Sequence, residues 1–123
     1  MIELDLPEGL HVERTAAGLV ATGPGLLLTA TSEPAVADAP RSTQLAVEAH
    51  LARLPAAQLI DAAQAPPDGM RILLHHAGEN GATCLEEWRF VRGGHLVTLS
   101  FQCAAPAYDA LADTAAAVAA SLR

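Results

Sequence analysis

His11, His50, His75, His76 and His95 are the side chains in this sequence with the chemistry to hold a transition metal, since neutral imidazole nitrogen is a ready ligand. Their spacing argues against it. His75 and His76 adjoin on an expected strand, project from opposite faces and cannot reach one ion without a bulge, and no HxH, HxxxH or HExxH spacing occurs. The histidines are read as solvated or capping groups, with no metal site and no cofactor expected. Glu86 and Glu87 are the candidate acid/base carboxylates, but neighbours on a strand point apart and cannot work as a couple on one substrate. No nucleophile elbow surrounds Ser32, Ser42, Ser100 or Ser121. Gly23-Pro24-Gly25 precedes an expected strand, whereas a phosphate loop needs a helix. No catalytic residue is assigned.

Cys84 and Cys103 form no metal-binding or CxxC spacing and are compatible with a reducing compartment. The 123 residues suffice for one self-sufficient core, so residues 1–123 are expected to form a single α+β domain. That core must be aliphatic: the chain has 18 leucines, 7 valines and 27 alanines against 2 Phe, 1 Tyr and 1 Trp. Every one of its 7 basic residues is arginine, and 14 carboxylates bring the net charge to −7. With no basic run, nucleic acid is not an expected partner. The acidic start, MIELDLPEGL, lacks the cationic and apolar regions of a secretory signal. No stretch approaches the ~20 apolar residues of a spanning helix. Cytoplasmic residence without membrane insertion is therefore expected.

Turn residues divide the chain. Extended pieces at Leu10 to Thr15, Leu19 to Thr22 and Leu26 to Thr31 are separated by Ala16-Ala17-Gly18 and Gly23-Pro24-Gly25. A helix is expected from about Ser42 to Leu54, with Ser42 or Thr43 as N-cap, an apolar stripe of Val47, Leu51 and Leu54, and Pro55 beyond its end. Leu45 and Ala49 widen the stripe, while Gln44, Glu48 and His50 fall mostly elsewhere on the helix. A short strand from Gln58 to Ala63, a turn at Pro66-Pro67-Asp68-Gly69, and strands at Met70 to Ala77, Thr83 to Val91 and Leu96 to Ala104 follow. Pro106 opens a final helix whose buried stripe is Leu111, Ala115, Val118 and Leu122. The outcome is an antiparallel sheet of about six to seven strands with two helices, in the order β-β-β-α-β-β-β-β-α.

A two-residue turn at Gly93-Gly94 fixes a register in which Arg92 faces His95 and Cys84 faces Cys103. One face then carries Cys84, Glu86, Trp88 and Phe90 against Cys103, Phe101, Leu99 and Val97, and Glu86 is its odd member. Cys84 and Cys103 fall at a hydrogen-bonded pair, whose wider backbone separation disfavours a disulfide, so they are read as core thiols. A three-residue bulged loop at Glu79-Asn80-Gly81 is expected to bring Ile72 opposite Trp88; a four-residue loop would place Arg71 beside Trp88 on the apolar face. Both helices are expected to cover that face. The outward face would then hold Arg71, Leu73, His75, Leu85, Glu87, Arg89, Val91, Leu96, Thr98, Ser100 and Gln102, less polar than a fully solvated face.

LPEGL at residues 6 to 10, the strand run, one helix after a Pro-rich loop, and FVRGGHLVTLSFQC from Phe90 to Cys103 feeding a C-terminal helix together resemble the PsbP-like or Mog-type α/β fold. The resemblance spans most of the chain and implies a scaffold that binds proteins and has no common catalytic residues. Unlike lipoprotein members, this sequence shows no lipobox cysteine, and secretion-effector chaperones match its expected location better. The expected function is a non-enzymatic intracellular protein-binding module, such as an adaptor or secretion-type chaperone, acting on a protein partner or by self-association. Its expected protein-binding residues are Arg71, Leu73, Leu85, Glu87, Arg89, Leu96, Thr98 and Ser100. Two alternatives remain: a small acid/base enzyme using Glu86 and a nearby histidine, and a structural subunit of a larger complex.

Overall fold

The computed structural model describes residues 2–65 and 68–123. Its strands are β1 (His11–Arg14), β2 (Gly18–Gly23), β3 (Leu26–Pro34), β4 (Gln58–Ala65), β5 (Gly69–Gly78), β6 (Gly81–Arg92) and β7 (His95–Ala104), with helices α1 (Ala39–Arg53) and α2 (Tyr108–Ala120). They form one antiparallel sheet in the order β1-β2-β3-β7-β6-β5-β4. The Pro66-Pro67 portion of the expected turn lies outside the described residues.

The β6–β7 hairpin has the register its sequence demands, with Arg92 opposite His95 and Cys84 opposite Cys103. Gly93 and Gly94 both have positive φ, 56° and 78°, the paired left-handed conformation whose twist matches that of the strands. The β5–β6 register differs from the bulged expectation. Arg71 lies opposite Trp88, and Ile72 opposite Glu87. The bulged alternative would have faced Arg71 with Arg89, two like charges directly across a ladder. The observed register instead puts Arg71 on the face that holds Glu86.

Side-chain alternation then assigns each helix to its own face of the sheet. α2 and its preceding 3₁₀ turn (Ala105–Ala107) cover the face of Trp88, Phe90, Leu99 and Phe101, where Val118, Ala115 and Leu122 join the main core and Leu111 and Tyr108 pack on Cys84 and Cys103. α1 lies on the other face, where Val47 and Leu54 pack on Ile72, Leu74 and Leu85. The two helices do not share one face, contrary to the expectation from sequence. The difference arises because β5 contributes Ile72 and Leu74 to the α1 side and Leu73 to the α2 side, so that β5 is apolar on both faces and needs two covers.

α1 begins earlier than Ser42. Asp38 is its N-cap, its carboxylate accepting from the Arg41 amide at 2.8 Å, and Pro40 occupies the first turn; proline there loses nothing, since first-turn amides have no helical acceptor. Leu51 is 45% exposed and is not part of the packed stripe, whereas half-buried His50 is turned toward the sheet. Residues before β1 also reach the core: Ile2 is buried, Leu4, Leu6 and Leu10 pack beside it, and the Arg123 amide donates to the Glu3 carbonyl at 3.0 Å.

α1 reaches Leu85, which is 4% exposed, but leaves Leu96 half-buried. Leu85→Asp is therefore expected to unfold the chain at ambient temperature, because an unpaired carboxylate is forced into a packed site. Leu96→Asp should cost only about 1 kcal/mol. Thermal or urea melts of the two variants, monitored by far-UV circular dichroism, check this contrast.

Candidate functional site

Glu86 is 2% exposed in a face otherwise made of apolar groups. Leaving an ionised carboxylate there alone would cost several kcal/mol, and three elements converge to prevent it. From β5, Arg71 directs Nε and Nη2 at Glu86 Oε2, at 2.8 and 2.5 Å. From the first turn of α2, the Tyr108 hydroxyl donates to the same oxygen and accepts from Arg71 Nη2 at 2.9 Å. From β4, Asp61 takes Arg71 Nη1 at 2.9 Å. The guanidinium also stands 5.8 Å from the Trp88 ring centroid, within cation–π range.

Asp61 reaches this face because of a register shift between Leu59 and Asp61 in the β4–β5 ladder. Without the extra residue, strict alternation would put Asp61 on the α1 side. Glu86 Oε1, by contrast, is buried with no hydrogen-bond partner. All three donors converge on one carboxylate oxygen and leave the other bare, an arrangement that costs about 1–3 kcal/mol relative to a fully satisfied group.

Beside this cluster a groove of about 580 Å³ runs between α2 and β4–β6. Trp88, Phe90 and Ala65 line its sheet side, and Ala112, Ala116, Ala119 and Ala120 line its helix side, with Gln64, Arg71, Glu86, Tyr108 and Asp113 as polar groups. Phe90 lies directly over Gly69, where a Cβ would come within 2.3 Å of its ring; glycine at that position lets the ring lie flat on the neighbouring strand. Trp88 is held from behind by Phe101, edge-on at a centroid distance of 5.5 Å. The hydroxyl of Tyr108 is pushed up to about 12 by its burial and by its hydrogen bond to Glu86. It stays protonated and serves as a donor.

A second ionic cluster stands on the α1 face. Glu87 accepts from His50 Nε2 at 2.9 Å and forms an ion pair with Arg89 Nη2 at 2.8 Å, while Arg89 Nη1 is buried without a partner. Burial alone would raise the Glu87 carboxyl, but the His50 hydrogen bond and the Arg89 charge outweigh it and hold the group below its ordinary value.

The residues singled out in sequence as an outward binding face are thus divided. Arg71 and Leu73 lie on the α2 side, opposite to that expectation, because the β5 register differs from the one assumed. Leu85, Glu87, Arg89 and Ser100 do share the other face, but they are buried within the chain; α1 packs on Leu85, and His50 caps Glu87. Leu96 and Thr98 stay half-buried. Glu86, the sequence's misfit, is tied to Arg71 and Tyr108, not to a histidine. Tyr108 and Asp61 were not legible as site residues: one depends on how α2 docks, the other on a bulge without a sequence marker. Arg71 did have a signal, since Glu86 on an apolar strand face calls for a cation on the neighbouring strand.

Sequence comparison finds neither a matching family model nor a matching curated protein. Comparison of structures does find relatives in shape. The cyanobacterial PsbP protein CyanoP from Synechocystis sp. PCC 6803 superposes with a TM-score of 0.74 at 14% identity, over 99% of this chain and 85% of that one. The chain has a PsbP-like fold. LpqN of Mycobacterium tuberculosis, described as involved in cell envelope biogenesis, matches with a TM-score of 0.68 at 15% identity, over 99% of this chain and 82% of its own. PA94 of Pseudomonas aeruginosa, a protein of unknown function described as a putative regulator, matches with a TM-score of 0.61 at 11% identity, over 86% and 90%. These PsbP-like neighbours agree with the element order β-β-β-α-β-β-β-β-α. Among the described residues, no helix is long and apolar enough to cross a membrane.

Because Glu87 titrates lower in the folded chain than in the unfolded one, the stability it contributes is present above the usual carboxylate range of about 4 and is lost as pH falls through the folded value. Urea midpoints of the parent should therefore drop more steeply on acidification than those of Glu87→Gln. The Cys84 thiol is pushed up to about 12 by burial and by the neighbouring Cys103 and Glu86, and burial raises Cys103 as well. At pH 8 iodoacetamide should leave both free cysteines unmodified in the folded chain and label both in urea, as mass spectrometry would read.

Proposed function

We propose that the chain is a non-enzymatic binding module whose site is the groove between α2 and β4–β6, and whose occupant is a small amphipathic molecule. The observation that carries this is the groove's make-up: aromatic rings on one wall, alanine methyls on the other, and polar groups gathered beside Glu86. Its volume of about 580 Å³ lies in the range of small-molecule sites, which combine apolar walls with a few placed polar groups. The arrangement of Glu86 supports binding over acid/base chemistry, since Arg71 and Tyr108 anchor the same oxygen.

A second reading keeps the adaptor or chaperone role expected from sequence. It is favoured by the half of the opposite face that α1 does not reach, where Val20, Leu27, Thr29, Leu96 and Thr98 are only half-buried. That surface would suit a protein partner or a second copy of the chain.

Trp88 is the chain's single tryptophan, so its emission reports the groove directly. Titration with octanol is expected to shift that emission saturably. Ala116→Phe, which fills the groove from an exposed position on α2, should weaken octanol binding by about tenfold while leaving the melting temperature within a few degrees. Absence of any saturable response in the parent, or full binding in Ala116→Phe, would overturn the groove as the site.

A further inference from the structure

We infer that a second site, at the end of the sheet where β1, β3, β6 and β7 meet Ile2, Leu122 and Arg123, binds a small molecule through a diphosphate group, one phosphoryl in each of two adjoining clefts. This site shares no lining residue with the groove between α2 and β4–β6 and stands or falls apart from it.

One cleft, of about 340 Å³, has Arg14 and Thr15 in its lining; the other, of about 280 Å³, has Arg92 and Arg123. Ile2, Ser32 and His95 line both, so the clefts adjoin along a common wall. Among the described residues no carboxylate side chain lines either one, in a chain with 14 carboxylates and a net charge of −7. Strand alternation does the sorting. Arg14 stands opposite Leu19, Ser32 opposite Val97, and Arg92 opposite His95, two residues from Val97, so all four polar groups project on the α2 face with the core residues Leu19 and Val97. Glu13 and Glu33, the sequence neighbours of Arg14 and Ser32, project on the opposite face.

Both arginines are held in place without being neutralised. Arg14 Nη1 donates to the Ile2 carbonyl at 3.4 Å and Arg92 Nη1 to the Leu122 carbonyl at 3.2 Å, and the Arg92 guanidinium stands 5.1 Å from the Phe90 ring centroid. Neither forms an ion pair among the described residues. Arg123, by contrast, pairs with Glu3 and Asp5, so it closes its cleft without adding net charge. One uncompensated guanidinium per cleft calls for a ligand with two anionic groups. The remaining Nε and Nη2 donors of each arginine form the planar fork that matches an oxyanion. Hydroxyls supply a further donor to each cleft: Thr15 Oγ1 accepts from the Gly18 amide at 3.1 Å and keeps its proton to give, and Ser32 lies on the common wall. A phosphoryl group, with three strong acceptor oxygens, answers a fork plus a hydroxyl better than a carboxylate with two.

The test is calorimetric titration of the full chain with inorganic diphosphate, orthophosphate and succinate at one fixed ionic strength, since salt screens exposed charges. Diphosphate is expected to bind about tenfold more tightly than either of the others. Arg14→Gln and Arg92→Gln are each expected to weaken diphosphate binding by about tenfold, whereas Arg53→Gln, which removes the same charge from an exposed position on α1, should leave it unchanged. If Arg92→Gln does not fold, exposed Arg14 and the Arg53 control decide. No saturable heat with diphosphate would overturn the site. Equal affinity for orthophosphate would overturn its two-cleft character, and equal affinity for succinate would overturn the phosphoryl assignment. An equal loss in Arg14→Gln and Arg53→Gln would overturn it as well, by assigning binding to diffuse charge.

Discussion

The pairing of Arg71 with Glu86 is the contact on which the arrangement of the α2 face turns. A carboxylate that is almost fully buried demands a cation, and Arg71 supplies it only if β5 runs against β6 in one particular register. That register puts Leu73 with the Cys84 and Cys103 side and turns Ile72 and Leu74 to the opposite side. The ion pair and the hydrophobic pattern of β5 are therefore satisfied together. Removing either charged partner would leave the other stranded, at a cost on the order of 3 kcal/mol, tempered by the partial exposure of Arg71. Asp61 and Tyr108 extend the same contact to β4 and α2, so four elements meet at one guanidinium.

Much of the architecture was legible because local signals agreed with one another. Gly93-Gly94, the alternation of Trp88 and Phe90 with Glu87 and Arg89, and the stripe of α2 together specified a hairpin, its register and a docked helix. The β5–β6 register was not legible by the same means. Both candidate loops satisfied local turn rules, and an arginine on an apolar face looked like an error when considered apart from Glu86. Two misfits that correct each other cannot be recognised one at a time. The side on which α1 docks was likewise hidden, since β5 is apolar on both faces, and Leu51 and His50 exchange the roles that helical periodicity alone suggests.

The groove itself was the least legible feature. It depends on the distance between α2 and the sheet, on the bulge that brings Asp61 to the α2 side, and on Gly69 accepting the Phe90 ring. None of these leaves a motif. The two ionic clusters, one on each face, also have different characters: Glu87 is matched by His50 and Arg89 and holds a helix in place, whereas Glu86 is matched at one oxygen only.

The alanine-rich wall of α2 has a consequence for how such a site can change over time. Ala112, Ala116 and Ala120 face the groove with single methyl groups, and the latter two are exposed. Alanine and leucine differ little in helix propensity, so exchanging one for a larger residue would narrow the groove with little strain on the helix or the sheet. The breadth of the pocket and the integrity of the scaffold are nearly independent variables. Related chains could thus diverge in what they accept through substitutions on one helix face, while Glu86 and Arg71, which hold the register, stay as they are.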